Sequence, residues 1–192
     1  MTEIVITPAI AERFEDAEHA LSGGGDGHSC QCQWWMMTNA DWQKTSQPQR
    51  TEMLHAEMAQ KLAPALIAYV DGQAAGWVRV GPRTAQIRLA RTREFNEHSR
   101  HPFDDPSVWA VSCFVVRKEF RGQGLTTRLL TAAVDYARAH GARTIAGYPI
   151  DTSAQKKAPN ELFRGLLTVF TSAGFEEVAR PKVERAIVEL TL

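Results

Sequence analysis

Val115-Val116-Arg117-Lys118-Glu119-Phe120-Arg121-Gly122-Gln123-Gly124-Leu125-Thr126 joins two segments whose apolar residues repeat with different periods. Before it, residues 108–116 are almost entirely apolar and β-prone, as in a strand buried on both faces. After it, residues 125–140 carry Leu125, Leu129, Ala133 and Ala137 in helical register, and Gly141 stands where a helix commonly ends in a left-handed residue. Two glycines between a buried strand and the first turn of a helix make either a plain glycine-rich turn or, the favoured reading, a phosphate-binding arrangement. The opening amides of a helix lack intrahelical partners and carry the positive end of its dipole. Glycine lets the turn fold tightly and lets a pyrophosphate reach the backbone. Other phosphate loops fit less well. A P-loop needs Lys-Ser or Lys-Thr where Leu125-Thr126 stand, and the dinucleotide fingerprint needs a third glycine.

Beyond this unit, residues 144–148 read as a strand and 160–173 as a helix ended by Gly174. Residues 175–179 and 185–190 then read as closing strands. On the N-terminal side, 4–6 is a short strand, Thr7 offers an N-cap oxygen and Pro8 fits a first helical position. Ile10, Phe14, Ala17 and Leu21 share a helix face, and Gly23, Gly24, Gly25 and Gly27 stop that helix. Residues 28–47 show no clean period and read as a packed loop region. A helix over 48–62 follows, with Leu54, Met58 and Leu62 four residues apart. Residues 66–70 and 73–80 form a hairpin across Asp71-Gly72, a pair that tolerates the positive φ of a two-residue turn. The stretch 81–106 is rich in arginine and reads as a solvated face, with a strand near 86–90. Strands alternating with helices around a central sheet give an α/β (α+β) fold.

The 192 residues fit one domain able to bury roughly 70% of its unfolded surface, so neither disulfides nor structural metal are needed. Twenty-two basic residues balance 22 acidic ones, which argues against a nucleic-acid or anionic-membrane partner working through bulk charge. The N-terminus lacks the features of a secretion signal, no apolar run is long enough to span a membrane, and three cysteines make no disulfide framework. A cytoplasmic protein is the expectation.

The segment from Val115 to Gly124 resembles the acetyl-coenzyme A motif of the GNAT N-acetyltransferase superfamily, Arg/Gln-x-x-Gly-x-Gly/Ala. Ala173-Gly174-Phe175 is similar to that family's step into its penultimate strand. The resemblance implies a mixed central sheet flanked by helices and splayed open between 108–116 and 144–148. Residues 1–106 would form an acceptor-side half and 107–192 an acetyl-CoA-binding half. Pantetheine would pair with the backbone of Phe114, Val115 and Val116 like an added strand. Pyrophosphate would sit on Arg121, Gly122, Gln123, Gly124, Leu125 and Thr126. No metal is expected, and paired subunits are common in similar proteins. Thr126 stands where the family usually has glycine or alanine. Phe170 stands where many members have a tyrosine that protonates the coenzyme A thiolate.

Acetyl transfer to an amine needs little beyond positioning. An alkyl amine is neutral in about 1 part in 2,500 at pH 7, a penalty of roughly 4.6 kcal/mol that a base can offset. Holding it against the thioester supplies roughly 7–11 kcal/mol. The glutamate base that the family often carries on the 108–116 strand is missing; Ser112 and Cys113 are there instead. Tyr148 is a candidate acid or an ordinary strand-end tyrosine, and Asp151 a candidate base or a capping residue. Cys113 is a small buried hydrophobe or an acyl-carrying nucleophile. His28-x-Cys30-x-Cys32 lacks a fourth ligand and the usual zinc spacing. With Trp34, Trp35 and Trp42 it lines an acceptor pocket or packs the core. The arginines of 83–100, if not simply solvated, could attract an acidic acceptor or the 3′-phosphate of the coenzyme. The resulting expectation is an N-acetyltransferase acting on a small-molecule amine. A peptide amine acetyltransferase and a non-catalytic acyl-CoA binding module are the alternatives.

Overall fold

A computed structural model of the chain describes residues 2–153 and 155–192. Its strands are β1 (Ile4–Pro8), β2 (Ala65–Val70), β3 (Gln73–Pro82), β4 (Val108–Val116), β5 (Thr144–Gly147), β6 (Glu176–Lys182) and β7 (Arg185–Thr191). They form a seven-stranded sheet in the order β1-β2-β3-β4-β5-β7-β6. Only β4 and β5 are parallel among these neighbours. The helices are α1 (Phe14–Leu21), α2 (Gly27–Cys30), α3 (Asn39–Lys44), α4 (Gln47–Met58), α5 (Ile87–Arg91), α6 (Arg93–Asn96), α7 (Leu125–Ala139) and α8 (Leu167–Ser172).

The apolar run 108–116 is the middle of the sheet, covered on both faces. Ala110 and Cys113 pack with Trp35, Trp77 and α1 on one side, whereas Val111 and Phe114 pack with α7 residues Leu129 and Leu130 on the other. The change from even to odd numbering on one face comes from a bulge. Arg79 pairs with Cys113 but Val80 pairs with Val111, so Ser112 is the extra residue. β5 follows β4 for only four residues, from Val108↔Thr144 to Val111↔Gly147. It ends before Pro149, which has no amide to extend the ladder. On the side of β5, β4 therefore runs on to Val116 without a partner strand, while β3 stays paired to it as far as Gly76↔Val116, and the sheet is splayed at the expected place.

The hairpin turn is at Asp71 and Gly72, with φ of 48° and 81°. Elsewhere the structure corrects the local reading. Thr7 and Pro8 belong to β1, an edge strand where proline is tolerated, and α1 begins at Phe14 after a 3₁₀ turn. Residues 28–47 are not loop alone but include α2, α3 and a 3₁₀ turn at Trp34–Met36. Residues 86–90 lie in a helical segment, not a strand. Nor are the nearby arginines all solvated, since Arg83 and Arg88 are buried. Arg83 donates to Ser99 and to the carbonyls of His101 and Pro102, contacts that local pattern does not encode. The helix expected over 160–173 is broken. A 3₁₀ turn at Pro159–Leu162 leads to Gly165 at φ +83°, Leu166 bridges to Ile150, and only then does α8 begin.

Candidate active site

The loop between β4 and α7 has the geometry its glycines predict. Gly122 and Gly124 have φ of 77° and 72°, left-handed values that a side chain disfavours. Gly124 is the N-cap of α7, and no side chain caps that end. Arg128 is the first helix residue to bond back to the loop, on the Gly124 carbonyl at 3.2 Å. The preceding amides stand at the positive end of a 15-residue helix. A second glycine turn faces this loop. A Cβ on Gly23 would lie 2.1 Å from Arg117 Cγ, and the Lys118 amide donates to the Gly23 carbonyl at 3.2 Å. The sequence reading gave Gly23, Gly24, Gly25 and Gly27 only the stopping of a helix. Four glycines in five positions exceed what a stop needs, and that surplus was the available signal.

A cavity of about 830 Å³ extends from both glycine turns along the unpaired end of β4 to Cys32, Trp35 and Cys113. Every residue expected to hold the coenzyme lines it except Gln123. One backbone group is already engaged. The Phe114 amide donates to the Phe163 carbonyl at 2.6 Å, so the 159–166 segment holds a β4 position that the resemblance gives to pantetheine.

The candidate catalytic residues separate. Cys113 lines the cavity; Ser112, buried at the bulge beside it, has no hydrogen-bond partner for Oγ among the described residues. Tyr148 does not reach the cavity wall. Its ring lies 4.4 Å from that of Phe95, and burial raises its phenol to about 12, with the Arg83 cation pulling the other way. Asp151 is held by the Ser153 amide at 2.9 Å and by Arg180 at 2.7 Å. The Ser153 amide and hydroxyl, then Arg180, lower its carboxyl to about 2. Phe170 is fully buried, edge-on to Phe114 and Phe175.

The residue that sequence reasoning underrated is Cys32. It sits at φ 54° after α2, is buried, and its Sγ accepts from Trp77 Nε1 at 3.2 Å and Arg79 Nε at 3.3 Å. Burial alone would raise its pKa. The Cys113 S–H, the Arg79 cation and the Trp77 indole outweigh that and lower it, while the same contact and burial raise Cys113. Arg79 is itself anchored on Glu57 at 2.5 Å. The cysteines are free thiols; Cys30 is raised to about 11 by burial, and His28 is exposed. Among the described residues no three His, Cys, Asp or Glu side chains are grouped to hold a metal ion.

At the far end of the cavity Trp34, Trp35 and Trp42 contribute to its wall, so they both pack and line. A second cavity of about 580 Å³ adjoins there, sharing Trp34, Trp35 and Arg164 with the first.

A mixed sheet splayed beside a bare, glycine-capped helix start defines a class of protein that seats a phosphate-bearing carrier in the split. The acetyltransferase (GNAT) family model matches residues 31–158, and the chain belongs to that family. Its members use acetyl-CoA, which the left-handed glycines and uncapped amides fit. Several solved structures share the fold. yncA of Salmonella typhimurium, solved with acetyl-CoA, is 19% identical over 98% of this chain and 94% of its own, with a TM-score of 0.55. A ribosomal-protein-alanine N-acetyltransferase from Brucella melitensis is 18% identical over 98% and 99%, TM-score 0.57. An N-acetyltransferase from Staphylococcus aureus Mu50 is 15% identical over 98% and 98%, TM-score 0.58. A search of curated protein sequences returned no match. Among the described residues no helix is long and apolar enough to cross a membrane.

Proposed function

We propose that the protein transfers the acetyl group of acetyl-CoA to a primary amine of a small molecule, by direct attack while both are bound. The observation that carries this is the continuous cavity from Gly124 at the start of α7 to Cys113 and Trp35. Pyrophosphate on the α7 amides and pantetheine along β4 would bring the thioester to the bulge at Ser112 and Cys113. The aromatic wall there excludes water and leaves room for a compact acceptor. Names of structural neighbours point both ways, one to a ribosomal-protein alanine and another to phosphinothricin, so the enclosed wall is what favours a small molecule.

The amine must lose a proton, and the best base has a pKa near the working pH. Cys32, lowered from the ordinary thiol range and linked to Cys113 at the cavity wall, fits that role better than Asp151, whose carboxyl stays at about 2. Tyr148 and Asp151 then support the fold. Phe170 donates no proton, so the coenzyme A thiolate leaves as the anion or takes its proton from Cys113 or from water.

Initial rates of coenzyme A release, followed with a thiol-reactive dye over an amine panel, test the reading. Amine-dependent release that is lost in Gly124→Glu is the expected result. The engaged Phe114 amide and Phe170 favour a second reading, a non-catalytic acyl-CoA binder. Stoichiometric binding without release for any amine would establish it in place of the first.

A further inference from the structure

Arg164 lies on the wall between the two cavities. Its guanidinium carbon is 5.3 Å from the Trp35 ring centre, 5.1 Å from that of Phe95 and 5.9 Å from that of Phe163. Arginine favours such aromatic surroundings, but rings satisfy none of its N–H donors. Its Nη1 is buried with no acceptor among the described residues, and so is Nη2 of Arg88. The rest of Arg88 is fixed: Nε donates to the Trp34 carbonyl, Nη1 to Asn39, and the guanidinium lies 3.7 Å over the Trp34 ring. Thus two guanidinium groups, each with a buried donor that has no acceptor among the described residues, line one small compartment.

That compartment carries net positive charge. Arg88, Arg91 and Arg164 line it, and no carboxylate is among its described lining residues. Asp41 stands at its edge, where it accepts from Thr38 at 2.6 Å, and Glu94, the carboxylate that acts on Arg164, is taken by Lys182 at 2.5 Å and Arg185 at 3.0 Å. Burial, with Arg185 nearby, lowers Arg164 to about 10, which still leaves it a cation at neutral pH. Buried charge without a counter-ion is expensive to maintain, and an oxyanion presented to a guanidinium fork removes that expense. The coenzyme phosphates would be held at the other end of the large cavity, on the start of α7, so they do not fill this need.

We infer that the compartment bounded by Trp34, Trp35, Arg88, Arg91 and Arg164 binds an oxyanion of the acceptor, so that the substrate is an amine carrying a carboxylate or phosphonate near its nitrogen. Arg164 faces both cavities, and an amine a few bonds from the anion it holds would lie toward Cys113. The aromatic rings would take an apolar side group. This rests on the acetyltransferase reading for the ligand's role, though not for the existence of the anion site.

The test uses matched trios with aliphatic, aromatic and polar side groups: an α-amino acid, its aminophosphonate and its decarboxylated amine. Binding is read by tryptophan fluorescence without acetyl-CoA, and turnover by coenzyme A release. Losing a buried charge-assisted pair has effects on the order of 100-fold, so the best anionic acceptor should exceed its decarboxylated partner by about that factor in kcat/KM. Arg164→Met should bring the two within about threefold by weakening the anionic acceptor alone, and Arg164→Lys should recover part of the difference. Acetyl-CoA affinity should not change in either variant. Whether the carboxylate or the phosphonate is preferred identifies the oxyanion. A decarboxylated amine equal to its partner in the wild type overturns the inference, as does equal loss for both acceptors in Arg164→Met. Transfer confined to amines without an anionic group would remove the anion site and leave the acetyltransferase. Arg164-dependent binding of anions with no transfer to any amine would do the reverse.

Discussion

A thiolate at Cys32 would be costly in so dry a place without its donors, and they come from residues distant in sequence. Trp77 and Arg79 are 45 and 47 positions away, and Cys113 reaches the same spot because it is the cross-strand partner of Arg79. No spacing rule within 28–47 could reveal that, whereas the glycines at 122 and 124 signal phosphate by local order alone. Folding lowers the Cys32 pKa, so its charge favours the folded state fully above the ordinary thiol pKa. That contribution is lost as pH falls through the folded value, and the window lies between the two. Thiolate absorbance at 240 nm should therefore show one thiol titrating below the usual 8.5 or so, and Cys32→Ser should remove that step. A titration in which all thiols ionise at or above 8.5 would show that Arg79 and Trp77 do not hold an anion. If Cys32 is the base, the rise of kcat/KM with pH should lose its lower limb in the same variant.

The long, strongly periodic elements were legible. β4 spans the residues its apolar run marks, α7 stops one residue short of the expected end, and the Asp71-Gly72 hairpin forms. Elements shaped by distant contacts were not, namely the helical turns around buried Arg83 and Arg88 and the break at Gly165. The segment before α8 shows why. A Cβ on Gly165 would lie 2.9 Å from Phe170 and 3.0 Å from Phe114, and one on Gly147 only 2.3 Å from Phe170. Phe170 thus occupies the space at the split of the sheet where a proton donor was expected. Gly147→Ala should destabilise the fold by about 1–3 kcal/mol through overpacking. Phe170→Leu added to it should cost less than the sum of the two single changes, because each removes part of the other's strain. Additive losses in denaturant melts would mean that the glycine and the ring do not compete for that space.

At the scale of the whole molecule, the large cavity draws its wall from both sides of residue 106. Leu21 and Trp42 come from one side, Cys113 and Val169 from the other. One continuous sheet joins them, and the opening arises because β5 abandons β4 after four pairs. The fold and the glycine turn at the start of α7 were readable because buried strand, glycine pair and amphipathic helix follow one another directly. The opposite end of the cavity was not, because it is assembled from the residues around α2 and α3, from β4 and from the segment 160–166. Isothermal titration of acetyl-CoA into the wild type, Gly124→Ala and Gly124→Glu compares the phosphate loop with and without its open N-terminus. Micromolar binding is predicted for the wild type. Gly124→Ala, whose left-handed backbone costs about 1–2 kcal/mol, should weaken it modestly. Gly124→Glu, which adds that strain and a negative charge facing phosphate, should abolish it. Equal affinity in all three proteins would contradict a coenzyme seated on residues 121–126.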